Sequence, residues 1–140
     1  MVNPMSATLH RSIWAAIYYV PFFVLCGIIF WLSSLSNPPI PEIFKFPHSD
    51  KLLHALAFGT VGAAAALGSA IRKNSLNIST FLEAWILTGF YGFIDEIHQR
   101  FTPSRSSDVA DWLADIIGAA IGILLFFAIF KGIHWIAKKQ

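Results

Sequence analysis

The chain has 140 residues, of which 56% are hydrophobic and only 13% are charged, with a formal net charge of +2. Soluble domains carry about a quarter of their residues as Asp, Glu, Lys and Arg, so this composition argues against a soluble globular protein. The small net charge and the scattered basic residues argue against a nucleic-acid partner. The single cysteine, Cys26, offers neither a disulfide nor a Cys-based metal site.

Four long segments carry almost no charge. Asp, Glu, Lys and Arg are absent from residues 12–41, 52–71 and 116–130, and Glu83 is the only one of them in residues 74–94. Crossing the hydrocarbon core takes about 20 apolar residues, and a backbone in lipid must satisfy its polar groups within its own segment. The sequence therefore predicts an all-α protein, a four-helix transmembrane bundle, with helices at about 13–34, 51–71, 80–99 and 108–130. We expect residues 1–140 to form a single membrane domain.

The first predicted helix is interpreted as a retained span rather than a signal peptide. Its apolar run, residues 13–32, exceeds the roughly 7–15 residues of a signal-peptide core. Pro21 predicts a kink within it, and residues 36–41, Ser-Asn-Pro-Pro-Ile-Pro, predict an exit loop. The second helix is expected to be capped by Ser49 or Asp50.

The third predicted helix begins near residues 80–83, Thr-Phe-Leu-Glu, which have the spacing of a capping box. We therefore interpret Glu83 as a cap at the membrane edge. The loop at 100–107 precedes the fourth helix, where Gly118 and Gly122 form a GxxxG pattern. Because small residues let helices approach closely in lipid, we expect both glycines to pack within the monomer rather than in a dimer interface.

Basic residues predict the orientation of the bundle. One side carries six of them: Arg11, Arg72, Lys73, Lys131, Lys138 and Lys139. The opposite side carries Lys45, Lys51, Arg100 and Arg105, which lie among most of the acids. Since basic loops favour the cytoplasm, we predict that both termini are cytoplasmic and that the loops after the first and third helices face outward.

Polar side chains gather at the predicted outward end, and we interpret them as one ligand-binding site. They are Asp50, Lys51, His54, Asp95, Glu96, Gln99, Arg105, Asp108, Asp111 and Asp115. At 100° per residue, the aspartates of the fourth helix share an arc of about 80° with its two glycines, so they should face neighbouring helices. Asp115 lies about two turns inside an apolar helix, where polar groups are costly and are candidates for function.

This group of side chains has two interpretations. Asp95 and Glu96 end a helix, where its dipole disfavours negative charge. We therefore expect one of them to accept a hydrogen bond from Lys51, His54 or Arg105, or to lie beside a bound cation. The amino ends of two helices and these basic side chains suit an anion such as phosphate or carboxylate, alone or bridged by a divalent cation. The alternative is an ion-pair network that only stabilises the bundle.

Three blocks of the sequence resemble the VanZ-like integral membrane proteins. They are Asp-Lys-Leu-Leu-His at 50–54, Asp-Glu-Ile-His-Gln-Arg-Phe-Thr-Pro-Ser-Arg at 95–105, and the pair Asp-Val-Ala-Asp at 108–111 and Asp-Ile-Ile-Gly at 115–118. The resemblance extends over about residues 14–130. Ser104, where the family usually has Gly, and Asp115, where many members have Asn, depart from the pattern.

The resemblance implies a multi-pass protein of the bacterial cytoplasmic (inner) membrane. The family's named member is associated with low-level resistance to the glycopeptide teicoplanin. This implies action at the outer membrane surface, on envelope precursors or lipids. For this chain, a link to such resistance is an expectation from the family alone.

Three functions are compatible with the sequence. We favour a protein that binds or modulates an anionic envelope lipid or lipid-linked precursor. The second is a metal-dependent membrane enzyme acting on a phosphorylated lipid. Its catalytic candidates are His54, Asp95 and Glu96, and its candidate metal ligands are Asp95, Glu96, Asp111 and Asp115. The third is a structural subunit without a ligand, in a homo-oligomer or beside another membrane subunit.

Overall fold

The computed structural model describes residues 16–137, apart from the side chains of residues 134 and 135. These residues form four α-helices, α1 (Val20–Ser33), α2 (Ser49–Lys73), α3 (Ile78–Gln99) and α4 (Val109–Ala137), with a short 3₁₀ helix at Glu42–Phe44. No strand occurs within residues 16–137, which confirms the all-α prediction. The predicted start of the first helix and the basic residues Arg11, Lys138 and Lys139 lie outside the described residues.

Three of the described helical segments are long and apolar enough to cross a membrane: Ala16–Ser33, Ser49–Lys73 and Val109–Ile133. At 1.5 Å per residue, the 22 residues of α3 extend about 33 Å, which matches the hydrocarbon thickness of roughly 30 Å. α3 carries three acidic residues, Glu83, Asp95 and Glu96, and is not among these three segments. That α3 also spans the membrane, and that both termini are cytoplasmic, stay predictions.

Contacts at the helix ends show that the helices run alternately up and down. Ser33, which ends α1, donates a hydrogen bond to Asp95 near the end of α3. Lys51, in the first turn of α2, donates one to Asp111 in the first turn of α4. The ends of α1 and α3 and the beginnings of α2 and α4 therefore lie together, at what we call the polar end of the bundle.

Glycines bring α2 and α4 into backbone contact. A Cβ atom added at Gly118 would lie 2.1 Å from the carbonyl oxygen of Ala55, and one added at Gly122 would lie 1.9 Å from that of Gly59. Real Cβ atoms essentially never come within 3.0 Å of such atoms. The two glycines of the GxxxG pattern thus pack against α2 in the same chain, which confirms that prediction.

The helix starts differ from the prediction. His48 precedes α2 with a φ of 62° and makes no side-chain cap, so neither Ser49 nor Asp50 caps this helix. Asn77 caps α3 by accepting a hydrogen bond from the backbone N–H of Thr80, so the predicted capping box is wrong. At the first helix, a turn at Tyr19 separates residues 16–18 from α1, and Pro21 stands in the first turn, where its missing N–H costs nothing.

Glu83 does not cap α3 but forms an ion-pair network at the opposite end of the bundle. Its carboxylate contacts Arg72 and lies 2.7 Å from the ammonium of Lys73. It also accepts hydrogen bonds from the hydroxyls of Tyr19 and Ser69. Glu83 therefore joins α3 to α2 and to the residues that precede α1.

Candidate functional site

Lys51 binds three aspartates at the rim of the polar end. Its ammonium donates hydrogen bonds to Asp50 at 3.0 Å, Asp108 at 3.1 Å and Asp111 at 2.8 Å. Asp108 also caps α4, because its other oxygen accepts a hydrogen bond from the N–H of Ala110. This N–H and the Lys51 ammonium hold the pKa of Asp108 below its usual range. The single positive charge of Lys51 is thus shared among three carboxylates.

His54 lies one turn further along α2 and pairs with Asp115 of α4. Nδ1 of His54 is 2.9 Å from Oδ1 of Asp115, and the imidazole stacks on Phe58. An ionised carboxylate only accepts hydrogen bonds, so an ionised Asp115 pairs with a protonated Nδ1. Asp115 is completely buried, as predicted, and fits because Gly92 of α3 presents no side chain there. The other oxygen of Asp115 has no partner.

Glu96 and Asp111 lie next to His54. Glu96 accepts a hydrogen bond from the N–H of Asp108 at 2.8 Å through one oxygen, and its other oxygen is buried without a partner. One potential ligand atom from each of His54, Glu96 and Asp111 lies within 4.8 Å of those of the other two. Two of the four predicted metal ligands are therefore together, but with His54 as the third member instead of Asp95 or Asp115.

Asp95 contacts the end of α1 and is not part of the group formed by His54, Glu96 and Asp111. Its Oδ2 accepts hydrogen bonds from Ser33 at 2.9 Å and from Gln99 at 2.8 Å, while Oδ1 is buried without a partner. Among the described residues, neither Asp95 nor Glu96 makes a hydrogen bond to Lys51, His54 or Arg105, so that prediction is wrong. The physical reason is position: Lys51 contacts Asp50, Asp108 and Asp111, His54 contacts Asp115, and Arg105 contacts the end of α1.

Arg105 binds the end of α1. Its Nη2 donates to the carbonyl of Leu32 at 3.1 Å and its Nε to that of Leu35 at 3.3 Å. The Leu32 carbonyl, in the last turn of α1, also accepts a hydrogen bond from the N–H of Leu35, and the Leu35 carbonyl lies just beyond the helix. The two bonds use two of the five guanidinium N–H groups. Arg105 thus caps the carboxyl end of α1, and its remaining N–H groups are available to another partner.

A cavity of about 260 Å³ opens between α1, α2 and α3 at the polar end. Five of the ten predicted site residues line it: Asp50, His54, Asp95, Gln99 and Arg105. The other five do not: Lys51, Glu96, Asp108, Asp111 and Asp115. Its remaining walls are formed by Ser33, by the proline-rich loop Pro38–Pro41, and by apolar side chains of α1 and α2.

Two parts of this site could not be predicted from the sequence. Ser33 and the proline-rich loop carry no charge, and the prolines indicated only a break between helices. The loop covers the cavity because the chain must return from the end of α1 to the start of α2 across the polar end. The prolines that exclude helix were the available signal, but they do not indicate what the loop covers.

The family model for VanZ/LLP1 matches residues 5–131 of the chain. The chain belongs to the VanZ/LLP1 family. No curated protein and no solved structure matches it. The three candidate spans agree with membership of the VanZ family, which is a family of membrane proteins.

Ser104, which departs from the usual VanZ pattern, has an unusual backbone conformation. Ser104, in the loop before Arg105, has a φ of 65°. This left-handed conformation strains residues that carry a Cβ atom and suits glycine. The glycine usual in VanZ-like proteins therefore fits the backbone that this loop adopts.

Proposed function

We propose that this VanZ-family protein binds the headgroup of an anionic membrane lipid or lipid-linked precursor in the cavity at its polar end. One observation carries the proposal: Asp95, which lines the cavity, keeps a buried oxygen without a partner. This residue is only 1% exposed. Leaving a buried polar group unsatisfied is costly, so this arrangement is suited to a ligand that donates a hydrogen bond to Asp95.

The network at the opposite end of the bundle argues against a purely structural role. There, Glu83 contacts Arg72 and Lys73 and accepts hydrogen bonds from Tyr19 and Ser69, so both of its oxygens have partners. A group of charges that only stabilises the fold is expected to satisfy itself in this way. The polar end does not, although it contains more carboxylates.

The cavity supplies complementary groups for such a headgroup. Arg105 offers guanidinium N–H donors, which suit a phosphate. The unpaired oxygen of Asp95 accepts hydrogen bonds, which suits a hydroxyl or an ammonium on the same headgroup. Leu32 and Leu53 provide apolar wall for the first part of a lipid chain. The ligand favoured by this chemistry is therefore a phospholipid-like amphiphile that carries both an anionic group and hydrogen-bond donors.

We further propose that the site faces outward from the bacterial inner membrane, because the basic residues favour cytoplasmic termini. An outward site gives access to lipids and precursors of the cell envelope. A role in teicoplanin-type resistance is also part of the proposal, and it is based on the family resemblance alone.

A second candidate function is metal-dependent hydrolysis of a phosphorylated lipid. It is favoured by the position of His54, which lines the cavity and also lies beside Glu96 and Asp111. If His54 binds a metal ion, it cannot also accept a proton from water. Asp95, which lines the cavity with one free oxygen, would then be the available general base.

Lipid binding by the purified chain tests the main proposal. Native mass spectrometry in detergent compares phosphatidylglycerol, a polyprenyl phosphate and uncharged diacylglycerol. We expect the two phosphate-bearing lipids to bind at least about 10-fold more tightly than diacylglycerol, which corresponds to about 1.4 kcal/mol. Bound lipid should also raise the stability of the chain, by about 2.7 kcal/mol at a free concentration 100 times Kd.

Two variants and one control show where the lipid binds. Asp95→Asn keeps an oxygen for Ser33 and Gln99 but replaces the free acceptor by a donor, and Arg105→Gln removes the guanidinium. Arg105→Gln should lose most of the preference for phosphate-bearing lipids, and Asp95→Asn should weaken binding of phosphatidylglycerol, because its free acceptor for the glycerol hydroxyls is gone. Glu42→Gln alters an exposed carboxylate in the 3₁₀ helix and should bind like wild type. Equal binding of all three lipids, or wild-type binding by Asp95→Asn, would contradict the proposal.

A further inference from the structure

Three helices present potential metal ligands to one point at the polar end. His54 comes from α2, Glu96 from α3 and Asp111 from α4, with one ligand atom of each within 4.8 Å of the other two. Three ligands evenly spaced at about 2.0–2.2 Å from one ion lie about 3.3–3.8 Å from one another. Side-chain movements of about 1 Å would therefore bring the three atoms around a single ion.

Asp115 is placed to orient the imidazole of His54. Its Oδ1 lies 2.9 Å from Nδ1 and, when ionised, accepts a hydrogen bond from it, so that in the neutral imidazole Nε2 is the nitrogen that can bind a metal ion. Metal-binding histidines almost always donate their other N–H in this way, often to a carboxylate. The complete burial of Asp115 holds this orientation fixed.

Within residues 16–137, the carboxylate of Glu96 is not paired with a positively charged side chain. Glu96 is 4% exposed, and its Oε1 has no hydrogen-bond partner although its potential ligand atom lies close to His54 and Asp111. Lys51 reaches Asp111 but not Glu96, and Arg105 binds the carbonyls at the end of α1. No described lysine or arginine therefore compensates Glu96.

We propose that His54, Glu96 and Asp111 bind one divalent metal ion, with Asp115 as the positioning residue for His54. One nitrogen and two carboxylate oxygens suit Zn²⁺ or Mn²⁺ better than Ca²⁺ or Mg²⁺, which prefer oxygen ligands alone. Three protein ligands leave at least one coordination position open. Because His54 also lines the cavity, a phosphate oxygen can take that position. This binding of phosphate to the metal rests on the proposed lipid binding, whereas metal binding itself does not.

Metal binding is tested with the ion alone. The untagged full chain is purified in detergent, stripped with a chelator, incubated with Zn²⁺, Mn²⁺, Ca²⁺ or Mg²⁺ and freed of excess ion. We expect one Zn²⁺ or Mn²⁺ per chain by elemental analysis, a higher melting temperature, and little retention of Ca²⁺ or Mg²⁺. Wild-type protein that retains no more Zn²⁺ or Mn²⁺ than the chelated control would overturn the proposal and would indicate that the carboxylates are satisfied by protons instead.

Variants separate ligands from neighbours. Glu96→Gln should weaken Zn²⁺ binding at least about 10-fold, and Asp115→Asn, which acts only through His54, by about 10–100-fold. Glu42→Gln alters an exposed carboxylate that pairs with Lys45 and is not one of the proposed ligands, so it should bind like wild type. Unchanged affinity in Glu96→Gln would refute the ligand set.

A second measurement covers the case in which Glu96→Gln fails to fold. Co²⁺ bound to wild-type protein should show a visible absorption spectrum distinct from that of aqueous Co²⁺, and Asp115→Asn should shift it. A spectrum identical to that of the aqueous ion would refute the site. Since no lipid is present in these assays, their failure leaves lipid binding unaffected, and failure of the lipid assay leaves the metal result standing.

Discussion

Replacing Gly122 by alanine is expected to force α2 and α4 apart. The added Cβ would lie 1.9 Å from the carbonyl oxygen of Gly59 and 2.8 Å from its Cα. Because both are backbone atoms, no change of side-chain rotamer can relieve the contact. The helices must separate locally by about 1 Å to restore the 3.0 Å that real Cβ atoms keep.

The expected loss of stability follows from two opposing terms. Adding a methyl group to a closely packed interface costs about 1–3 kcal/mol, and a backbone clash places Gly122→Ala at the upper end. Alanine is a better helix former than glycine by about 1 kcal/mol. The net result is a loss of about 2 kcal/mol in the free energy of unfolding.

Gly132→Ala provides a matched control within α4. Nothing lies within 4 Å of a Cβ added at Gly132, so this variant should gain up to about 1 kcal/mol from helix propensity alone. The assay is unfolding of both purified variants and wild type in the same detergent. Equal stability of Gly122→Ala and Gly132→Ala would show that α2 and α4 are not in close contact at Gly122, and would refute this prediction.

Two further predictions concern orientation and backbone strain. Reporter fusions after Arg72 should read cytoplasmic and fusions after Ser106 external, since the basic residues favour cytoplasmic termini; a cytoplasmic reading at Ser106 would reverse the proposed outward site. Ser104→Gly should raise the free energy of unfolding by about 1 kcal/mol, because the φ of 65° is strained for serine. Thermal unfolding checks this, and a melting temperature at or below wild type would count against the loop conformation.

The number and approximate positions of the helices could be predicted from the sequence. Uncharged runs and the proline-rich loop are local features, and lipid leaves a long apolar segment few alternatives to a helix. The helix ends were less predictable, because His48 and Asn77 precede α2 and α3 in conformations that depend on the surrounding loops. α4 continues to Ala137, past the predicted end at 130, because Lys131 does not interrupt a helix.

The sequence also determined which residues gather at the polar end, because alternating helices bring the same ends together. It could not determine their partners. Asp95 and Glu96 are adjacent on α3, yet Asp95 accepts from Ser33 of α1 and Glu96 from the N–H of Asp108 at the start of α4. Successive side chains on a helix point about 100° apart, so neighbours in sequence contact different helices.

Only the tertiary structure decided that Arg105 binds backbone carbonyls instead of an acid, and that His54 joins Glu96 and Asp111. These partners depend on how closely and at what rotation the helices pack. Around His54 and Asp115, that distance is set by the glycine contacts between α2 and α4. The sequence shows the glycines, but the atoms they bring together are known only once both helices are in place.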